Sequence, residues 1–429
     1  MKRRLAGLTA LCVLAVAALF VSGCGTSATT LAGSQAADDS QTPATAAAQD
    51  LPALVAGNTA FTLDLFKALR SDSENAVLSP YSISTALGMT YAGANGLTAS
   101  HMAGVLHFTV PKDRLPAVFQ QLAQSLSSSP PSGTSGSGFQ LSIANSLWGQ
   151  EDFPFLPTFL QVLQQQYESP LRKVNFAKSA DGARQAINDW AKEETKGKIP
   201  DLLPAGSIEA ATRLVLANAV YFKADWQLPF THENTFDGNF HLPSGKIVTA
   251  PLMHQTATLG YAKTDAWQAI ELPYAGGRYS MVALMPQAGL TEALKGLTSD
   301  GLSSVIKQLV PTEIALTIPK WTYRSGFTLK DALTGLGMTN VFSNADFSGM
   351  DGSKDLVIDE VYHKAFVAVD EKGTEAAAAT GVVMRLGAVL VTAPQVTFDH
   401  PFLYLVRDTQ TRTILFIGQV TDPAAVPAE

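Results

Sequence analysis

Residues 371–388 restrict the fold of this chain more than any other segment, and they read EKGTEAAAATGVVMRLGA. Four successive alanines favour a helix, but the segment has no apolar stripe at helical spacing and is interrupted by Gly373 and Gly381. With a period of two, Glu375 and Arg385 fall on one face of a strand, while small or apolar side chains fall on the other. That second face holds Thr374, Ala376, Ala378, Thr380, Val382, Met384 and Leu386.

No proline interrupts this segment before Pro394. Its backbone can therefore form ladder hydrogen bonds on both sides, as a central strand must. A loop that only lies in solvent needs neither this property nor a face of small side chains. The pattern predicts a segment that is exposed in one state and enters the middle of a β-sheet in another.

The composition is that of a globular protein with a large core, because the 429 residues are 46% hydrophobic and 16% charged. The net charge is −7, and no run of lysine or arginine is long enough to follow a phosphate backbone. We therefore expect neither nucleic acid nor a heparin-like polyanion as a partner.

The first residues resemble an export signal. Residues 2–4 are basic, and the apolar stretch 5–21 is short for a spanning helix. Residues 21–24, Val-Ser-Gly-Cys, resemble the lipobox of bacterial lipoproteins, in which the cysteine thiol accepts diacylglycerol. This predicts a lipid on Cys24 and a protein held on a membrane outside the cytoplasm. The alternative is an uncleaved N-terminal anchor with an incidental cysteine.

The composition along the sequence predicts a division of the chain into three parts. We predict a lipoprotein signal peptide at 1–23, a disordered tether rich in Ala, Ser and Thr at 24–50, and one folded domain at 51–429. The stretch 127–138 is expected to be a surface loop of that domain. Cys12 and Cys24 are the only cysteines, so no disulfide is expected.

Known catalytic motifs are missing from the sequence. There is no His-Glu-x-x-His pair, no Gly-x-Ser-x-Gly elbow, no phosphate-binding Gly-Lys-Ser/Thr loop and no Cys-x-x-Cys. The seven histidines are spaced so that no two share a helical face as metal ligands. We therefore expect no enzyme, no metal site and no cofactor.

Several separate segments resemble the serpin family. Residues 54–69 have apolar side chains at helical spacing, and residues 75–89 predict a short strand followed by a helix that begins with Ser-Pro. The second of these resembles the family's second-helix signature. Residues 216–230 alternate and are rich in aromatic side chains, as in a half-buried strand. They resemble a strand of the family's central sheet.

The resemblance continues to the C-terminal end. Residues 270–274 and 279–286 predict a hairpin, and residues 399–406 and 414–418 resemble the paired last strands of the family. The matching segments occur in the same order over most of the chain. The chain is therefore identified as a member of the serpin family, the suicide-substrate inhibitors of serine proteases.

This resemblance implies an α+β serpin fold. That fold has a large central, mostly antiparallel β-sheet, further sheets, about nine helices and an exposed reactive-centre loop, here at about 373–392. Ser79, Ser82, Asn218 and His363 match the shutter, a buried polar cluster under the centre of the sheet. Trp226 matches the breach, the end of the sheet at which the strands first part.

The segment 371–380 matches the serpin hinge, which comprises Glu371, Gly373, Thr374, Glu375, Ala376, Ala377, Ala378, Ala379 and Thr380. The match implies that a serine protease forms an acyl-enzyme with the loop, and that the cleaved loop then inserts into the sheet as a strand. Small residues at the hinge favour an inhibitor over the alternative, a non-inhibitory serpin-fold binding lipoprotein. A structural lipoprotein would not need such a hinge. We expect a monomer.

The scissile bond depends on how the loop is counted. Counting forward from Gly373 gives Gly387-Ala388, preceded by Val383, Met384, Arg385 and Leu386, and suits an elastase-like or subtilisin-like protease. Counting back from residues 400–401 moves the bond one to three residues later. If Arg385 is the specificity residue, the target is trypsin-like; otherwise its charge only keeps the loop soluble. The physiological target stays open.

Overall fold

A computed structural model describes residues 43–127, 140–374 and 393–425 of the chain. Within these residues there are ten α-helices, about as many as the nine expected. They are α1 (Pro43–Leu69), α2 (Pro80–Gly93), α3 (Gly96–Leu106), α4 (Leu115–Ser127), α5 (Pro157–Gln165), α6 (Ala180–Glu194), α7 (Leu290–Gly296), α8 (Ser299–Lys307), α9 (Lys330–Leu336) and α10 (Ser348–Asp351).

The same residues form fifteen β-strands, arranged in two sheets. They are β1 (Ala76–Leu78), β2 (Gln140–Gln150), β3 (Arg172–Val174), β4 (Leu214–Asp225), β5 (Phe236–His241), β6 (Ile247–Lys263), β7 (Trp267–Pro273), β8 (Tyr279–Pro286), β9 (Val310–Pro319), β10 (Trp321–Thr328), β11 (Val361–Val369), β12 (Gly373–Thr374), β13 (Gln395–Thr397), β14 (Phe402–Asp408) and β15 (Ile414–Val420).

Helix α2 begins where the Ser-Pro pair predicts. The Ser79 side chain accepts a hydrogen bond from the backbone N–H of Ser82 at 3.4 Å, which caps the first turn. Pro80 occupies the first turn, where its missing N–H costs nothing. Nearly the whole helix is buried, so it lies inside the molecule.

Helix α1 includes the predicted helix at 54–69 but begins earlier, at Pro43. Residues 43–50 were expected to be part of the flexible tether, and this part of the prediction is wrong. Three successive alanines favour the helix there, Ala47 is buried, and Asp50 forms an ion pair with Arg114 at 3.2 Å. The signal peptide and the rest of the tether lie outside the described residues and stay predictions.

The central sheet has the strand order β10-β11-β12-β4-β2-β3. It is mostly antiparallel, as expected, and its parallel pairs are β11 with β4 and β2 with β3. The β11–β4 ladder runs from Val361 opposite Leu216 to Phe366 opposite Tyr221. Strands β4 and β11 are therefore paired directly with each other over six residues, and β12 lies between them only beyond this ladder.

Strand β4 is buried on both faces, whereas its sequence pattern predicted a half-buried strand. One face, with Leu216 and Phe222, packs into the main core, and the other, with Ala217 and Tyr221, packs into a second apolar cluster that includes Trp190 of α6. Helix α6, which covers this second face, is not adjacent to β4 in the sequence. The residue pattern of β4 alone therefore could not indicate that both of its faces are buried.

The second sheet has the order β1-β15-β14-β8-β7-β6-β9-β13, with β5 paired to β6. It contains the predicted hairpin as the antiparallel pair β7 and β8, and the predicted last strands as β14 and β15. Of the helices in the described parts of the chain, none has the length and apolar character needed to cross a membrane. The loop expected at 127–138 lies outside the described residues beyond Ser127, which ends α4.

Candidate functional site

The two residues of β12 lie between the ends of β4 and β11. Thr374 is opposite Val369 on one side and Ala224 on the other, and Gly373 is opposite Asp225. The Thr374 side chain is 1% exposed, and its Oγ1 lies 2.8 Å from the phenol oxygen of Tyr274. Thr374 is thus buried, but Glu371 and Gly373, on the opposite face of the period-two pattern, are buried too. The pattern therefore stays a prediction.

The other predicted residues of the loop lie outside the described residues. They are Glu375, Ala376, Ala377, Ala378, Ala379, Thr380, Val383, Met384, Arg385, Leu386, Gly387 and Ala388. The chain resumes at residue 393 and forms β13, which pairs with β9 of the other sheet. The segment 375–392 therefore joins the central sheet to the second sheet.

Trp226 holds the base of the hinge. Its ring stacks on Tyr274 with 4.5 Å between ring centroids and 10° between ring planes. Its backbone N–H donates to the Lys372 carbonyl at 2.7 Å, and its indole N–H donates to the Asp370 carbonyl at 3.0 Å. Trp226 thus lies where the hinge enters the sheet, the place that the family resemblance assigned to it.

Glu371 anchors the hinge by its carboxylate, which is largely buried. Thr235 Oγ1 lies 2.8 Å from it, His232 Nδ1 3.1 Å and Lys320 Nζ 3.0 Å. Burial raises the pKa of the carboxyl, but hydrogen bonds from the backbone and these three side chains outweigh burial and lower the pKa to about 2. The sequence analysis missed the three partners because each lies more than fifty residues from Glu371 along the chain.

The four predicted shutter residues meet in one buried polar cluster. His363 on β11 is directly opposite Asn218 on β4, and its Nδ1 contacts the Asn218 amide oxygen. Its Nε2 accepts the backbone N–H of Ser79 at 3.1 Å. The Asn218 amide nitrogen donates to the Ser82 hydroxyl. The cluster thus connects α2 to the neighbouring strands β4 and β11.

Asn145 on β2 is a fifth member that the sequence analysis missed. Its side-chain oxygen accepts from the Ser82 hydroxyl at 2.8 Å and from the Asn218 amide. It is opposite Asn218 in the β2–β4 ladder. The polar cluster therefore extends across three neighbouring strands, and no local pattern around residue 145 marks it.

The His363 imidazole is neutral in this cluster. It is fully buried, and burial lowers its pKa to about 3. Because Nε2 accepts the Ser79 N–H, the ring proton is assigned to Nδ1, which then donates to Asn218. In residues 43–127, 140–374 and 393–425, no three His, Cys, Asp or Glu side chains are placed to hold a metal ion.

Gly373 is needed for the hinge to enter the sheet. A Cβ at this position would lie 2.0 Å from the Ala224 carbonyl oxygen, far inside contact distance. We expect Gly373→Ala to push residues 372–374 out of the sheet, and the amides there to exchange hydrogen at least tenfold faster than in the parent. Gly104→Ala is the control, because a Cβ at Gly104 meets nothing within 4 Å. Unchanged exchange in Gly373→Ala would contradict the close packing of the hinge.

Comparisons with known proteins identify the family of the chain. The family model described as Serpin (serine protease inhibitor) matches residues 56–423. An uncharacterized serpin-like protein of Thermococcus kodakarensis is 37% identical over 378 residues, which are 87% of this chain and 87% of that protein. The leukocyte elastase inhibitor of Homo sapiens is 36% identical over 384 residues, which are 86% of this chain and 99% of that protein.

Solved structures of two serpins have the same fold. The crystal structure of the thermophilic serpin tengpin in its native state has a TM-score of 0.77 at 29% identity, covering 86% of this chain and 94% of that one. Arabidopsis AtSerpin1 in its native stressed conformation has a TM-score of 0.76 at 30% identity, covering 88% and 99%. The chain belongs to the serpin family.

Proposed function

We propose that this protein inhibits serine proteases as a suicide substrate, by inserting its cleaved loop between β4 and β11. The observation that carries the proposal is the position of Thr374, which is already buried and is paired with β11 on one side and with β4 on the other. Residues 376–380 are small, and no proline occurs before Pro394. The start of such an insertion is therefore compatible with the native fold.

The register of β12 supports a continued insertion. The pairing of β12 with β11 and its pairing with β4 can each be extended one residue at a time beyond Thr374. Both extensions assign each later residue to the same level of the sheet, because β11 and β4 are themselves in one constant register. Residues of even number would face the main core, as Thr374 does, and Glu375 would lie opposite Ala368 and Lys223, which are half-exposed. In the proposed inserted state, Ala376 would lie opposite Val367 and Phe222, Thr380 opposite His363 and Asn218, and Val382 opposite Val361 and Leu216, as extrapolated from the pairing of Thr374.

In the proposed reaction the protease serine oxygen attacks the scissile carbonyl, and the peptide C–N bond breaks. The new amine leaves with a proton, and the loop stays bound to the serine as an ester. Insertion from Thr374 towards residue 387 then carries the ester about 43 Å along the sheet, at about 3.3 Å a residue. Hydrolysis stalls because the protease is distorted against the inhibitor at the end of this movement.

The energy for this movement comes from new ladders. Insertion replaces the six directly opposite pairs of the β11–β4 ladder by two ladders, one on each side of the new strand. At about 0.5–1.5 kcal/mol net for each added hydrogen bond, the gain is on the order of 10 kcal/mol, before the side chains on the inner face are counted. This is comparable with the whole stability of an ordinary domain. The native protein is therefore proposed to be kinetically trapped.

The proposed target is an elastase-like or subtilisin-like protease. The support is the small pair Gly387-Ala388 at the counted bond, together with the similarity to proteins named leukocyte elastase inhibitor. Leukocyte elastase inhibitor is the name of those relatives, and elastase as a target of this protein is our proposal. For the location of this one, we propose export and a lipid on Cys24, supported by the sequence of residues 1–24.

We expect the protein to form a covalent complex that survives detergent with pancreatic elastase and with subtilisin, and much less with trypsin. Gel electrophoresis measures the complex, and mass spectrometry of the released peptide locates the cut. Cleavage only after Arg385, with a stable trypsin complex, would contradict the proposed target class but would still support the proposed mechanism. Cleavage by all three proteases without any covalent complex would contradict the proposed inhibition.

A further inference from the structure

A cleft of about 600 Å³ lies at the end of the central sheet where β4 and β11 begin, and we call it the strand-end cleft. It is lined by residues of the segment 209–213, which leads into β4, and of the segment 351–359, which leads towards β11. Phe153 and Pro154 complete the lining. Strand β12 pairs with the other ends of the same two strands, so the cleft and the hinge lie at opposite ends of the sheet.

The lining of the strand-end cleft is acidic, with four carboxylates against one guanidinium, a net charge of −3. The charged residues are Glu209, Asp351, Asp355, Asp359 and Arg213. Within the described part of the chain, the carboxylates of Glu209, Asp355 and Asp359 make no hydrogen bond and no ion pair. Asp351 bonds within its own turn, to Ser353 at 2.7 and 2.8 Å, and Arg213 donates to backbone carbonyls at 3.0 Å. The cleft therefore has an excess of carboxylates without a charged partner.

The pairing of Thr374 determines which residue of an inserted loop would reach this cleft. In the ladder with β4, Thr374 is opposite Ala224, so residue 384 would lie opposite the first residue of β4. The next residue, Arg385, would pass beyond the end of β4 and into the strand-end cleft. Arg385 is also the only lysine or arginine in residues 373–392. The one cation of the loop would therefore come to the acidic lining.

We propose that the strand-end cleft binds the Arg385 side chain once the cleaved loop has inserted, and that this contact holds the end of the loop in place. The proposal rests on the proposed function, because only an inserted loop reaches the cleft. A guanidinium suits the site, since its five N–H donors can bond several carboxylates at once. Arg213 opposes the binding as a like charge, but the four carboxylates outnumber the two guanidinium groups. This role of Arg385 is neither that of a specificity residue nor that of a charge that only keeps the loop soluble.

The contact acts on the lifetime of the covalent complex. Residue 387, which carries the ester, follows Arg385 by two residues, and two residues span at most about 7 Å. While Arg385 is bound, the ester therefore stays within this distance of the cleft, and the loop cannot withdraw from the sheet without breaking the contact. Loss of the cleft carboxylates should shorten the life of the complex. Its formation should not change, because the cleft lies at the other end of the sheet from the hinge.

The test measures how fast the covalent complex with elastase decays, as the active protease that it releases. The double variant Asp355→Asn/Asp359→Asn removes two exposed carboxylates of the cleft. We expect its complex to form at the same rate as that of the parent and to decay about fivefold faster, the upper end for exposed ion pairs. Asp189→Asn is the control, because Asp189 is exposed on α6 and does not line the cleft. Equal decay of the parent and the double variant would overturn the proposal.

Arg385→Gln tests the other partner of the contact. Its complex should decay as fast as that of the double variant, and combining all three substitutions should add nothing further, because the same contact is lost. The excess decay should also shrink in about 1 M salt, which screens exposed charges. Additive effects would show that Arg385 and the carboxylates act separately, and would refute the proposal.

Thermal unfolding separates this proposal from the proposed function. Cleavage of the loop should raise the unfolding temperature of the parent, because the loop inserts, and should raise it less in Asp355→Asn/Asp359→Asn, whereas the uncleaved proteins should unfold nearly alike. If cleavage stabilises the parent and the variant equally, the role of the cleft is wrong and insertion stands. If cleavage stabilises neither, insertion itself is wrong, and the proposed function fails with it.

Discussion

Replacement of Thr374 by arginine is expected to turn the protein from an inhibitor into a substrate. Thr374 is 1% exposed between Val369 and Ala224, and its hydroxyl is bonded to Tyr274. A guanidinium in this place would be buried without a charged partner, at a cost of several kcal/mol. We therefore expect the native variant to hold position 374 out of the sheet, so that this cost is met only when the loop inserts. Each 1.4 kcal/mol added to the barrier of insertion slows that step about tenfold relative to deacylation.

The measurement is the number of inhibitor molecules consumed for each protease inactivated. We expect this number to rise at least tenfold in Thr374→Arg, with cleavage at the same bond and active protease recovered. The rate of the first attack should stay near that of the parent, because thirteen residues separate position 374 from the counted bond at 387. Loss of cleavage itself would show that the variant had failed for another reason.

Glu375→Arg is the matched control, one residue along the chain. Continuing the register of β12 puts position 375 opposite Ala368 and Lys223, on the less buried face, so an arginine there can stay in water. This variant should inhibit nearly as well as the parent, with a small cost from Lys223. Identical behaviour of the two variants would contradict the period-two interpretation and remove the main support for insertion.

Local signals in the sequence predicted local structure well. The start of α2 follows from Ser79 and Pro80, because a cap and a fixed φ act within one turn. The β7–β8 hairpin follows from two apolar runs joined by a Gly-rich turn. In each case the cause and the effect lie within a few residues.

The features that the sequence did not reveal depend on distant contacts. The burial of both faces of β4 needs α6, and Asn145 joins the polar cluster only because β2 pairs with β4. Likewise, His232 and Lys320 lie 139 and 51 residues from Glu371 along the chain and contact it only in the folded protein. The family resemblance supplied four members of the polar cluster, but no residue pattern near position 145 or 232 could have supplied the others.

Acid is expected to destabilise the native protein through His363. This loss of stability should begin at a higher pH than the loss caused by protonation of buried carboxylates such as Glu371. Burial lowers the pKa of His363 to about 3 from an ordinary value of 6.5. Below pH 6.5 the unfolded chain therefore binds a proton that the native protein does not, and stability falls as the pH falls towards 3. The loss is about 1.4 kcal/mol for each pH unit within this window.

Glu371 also contributes, but at lower pH. Its pKa is lowered to about 2 from 4.5, so its contribution is present above 4.5 and is lost as the pH falls from there towards 2. Between pH 6.5 and 4.5 the slope should therefore come mainly from His363. The measurement is the free energy of the first unfolding transition in urea at several pH values in this range.

His363→Gln should remove most of that slope, because glutamine does not titrate. The variant will also lose stability at every pH, since it disturbs the contacts with Ser79 and Asn218, so the comparison rests on the slope and not on the offset. His254→Gln is the control: His254 is half-exposed, bonds to Thr317 and lies outside the polar cluster. Its slope should match that of the parent. If His363→Gln keeps the parent's slope, the buried neutral histidine of β11 is not the source of the acid sensitivity, and another titrating group must be responsible.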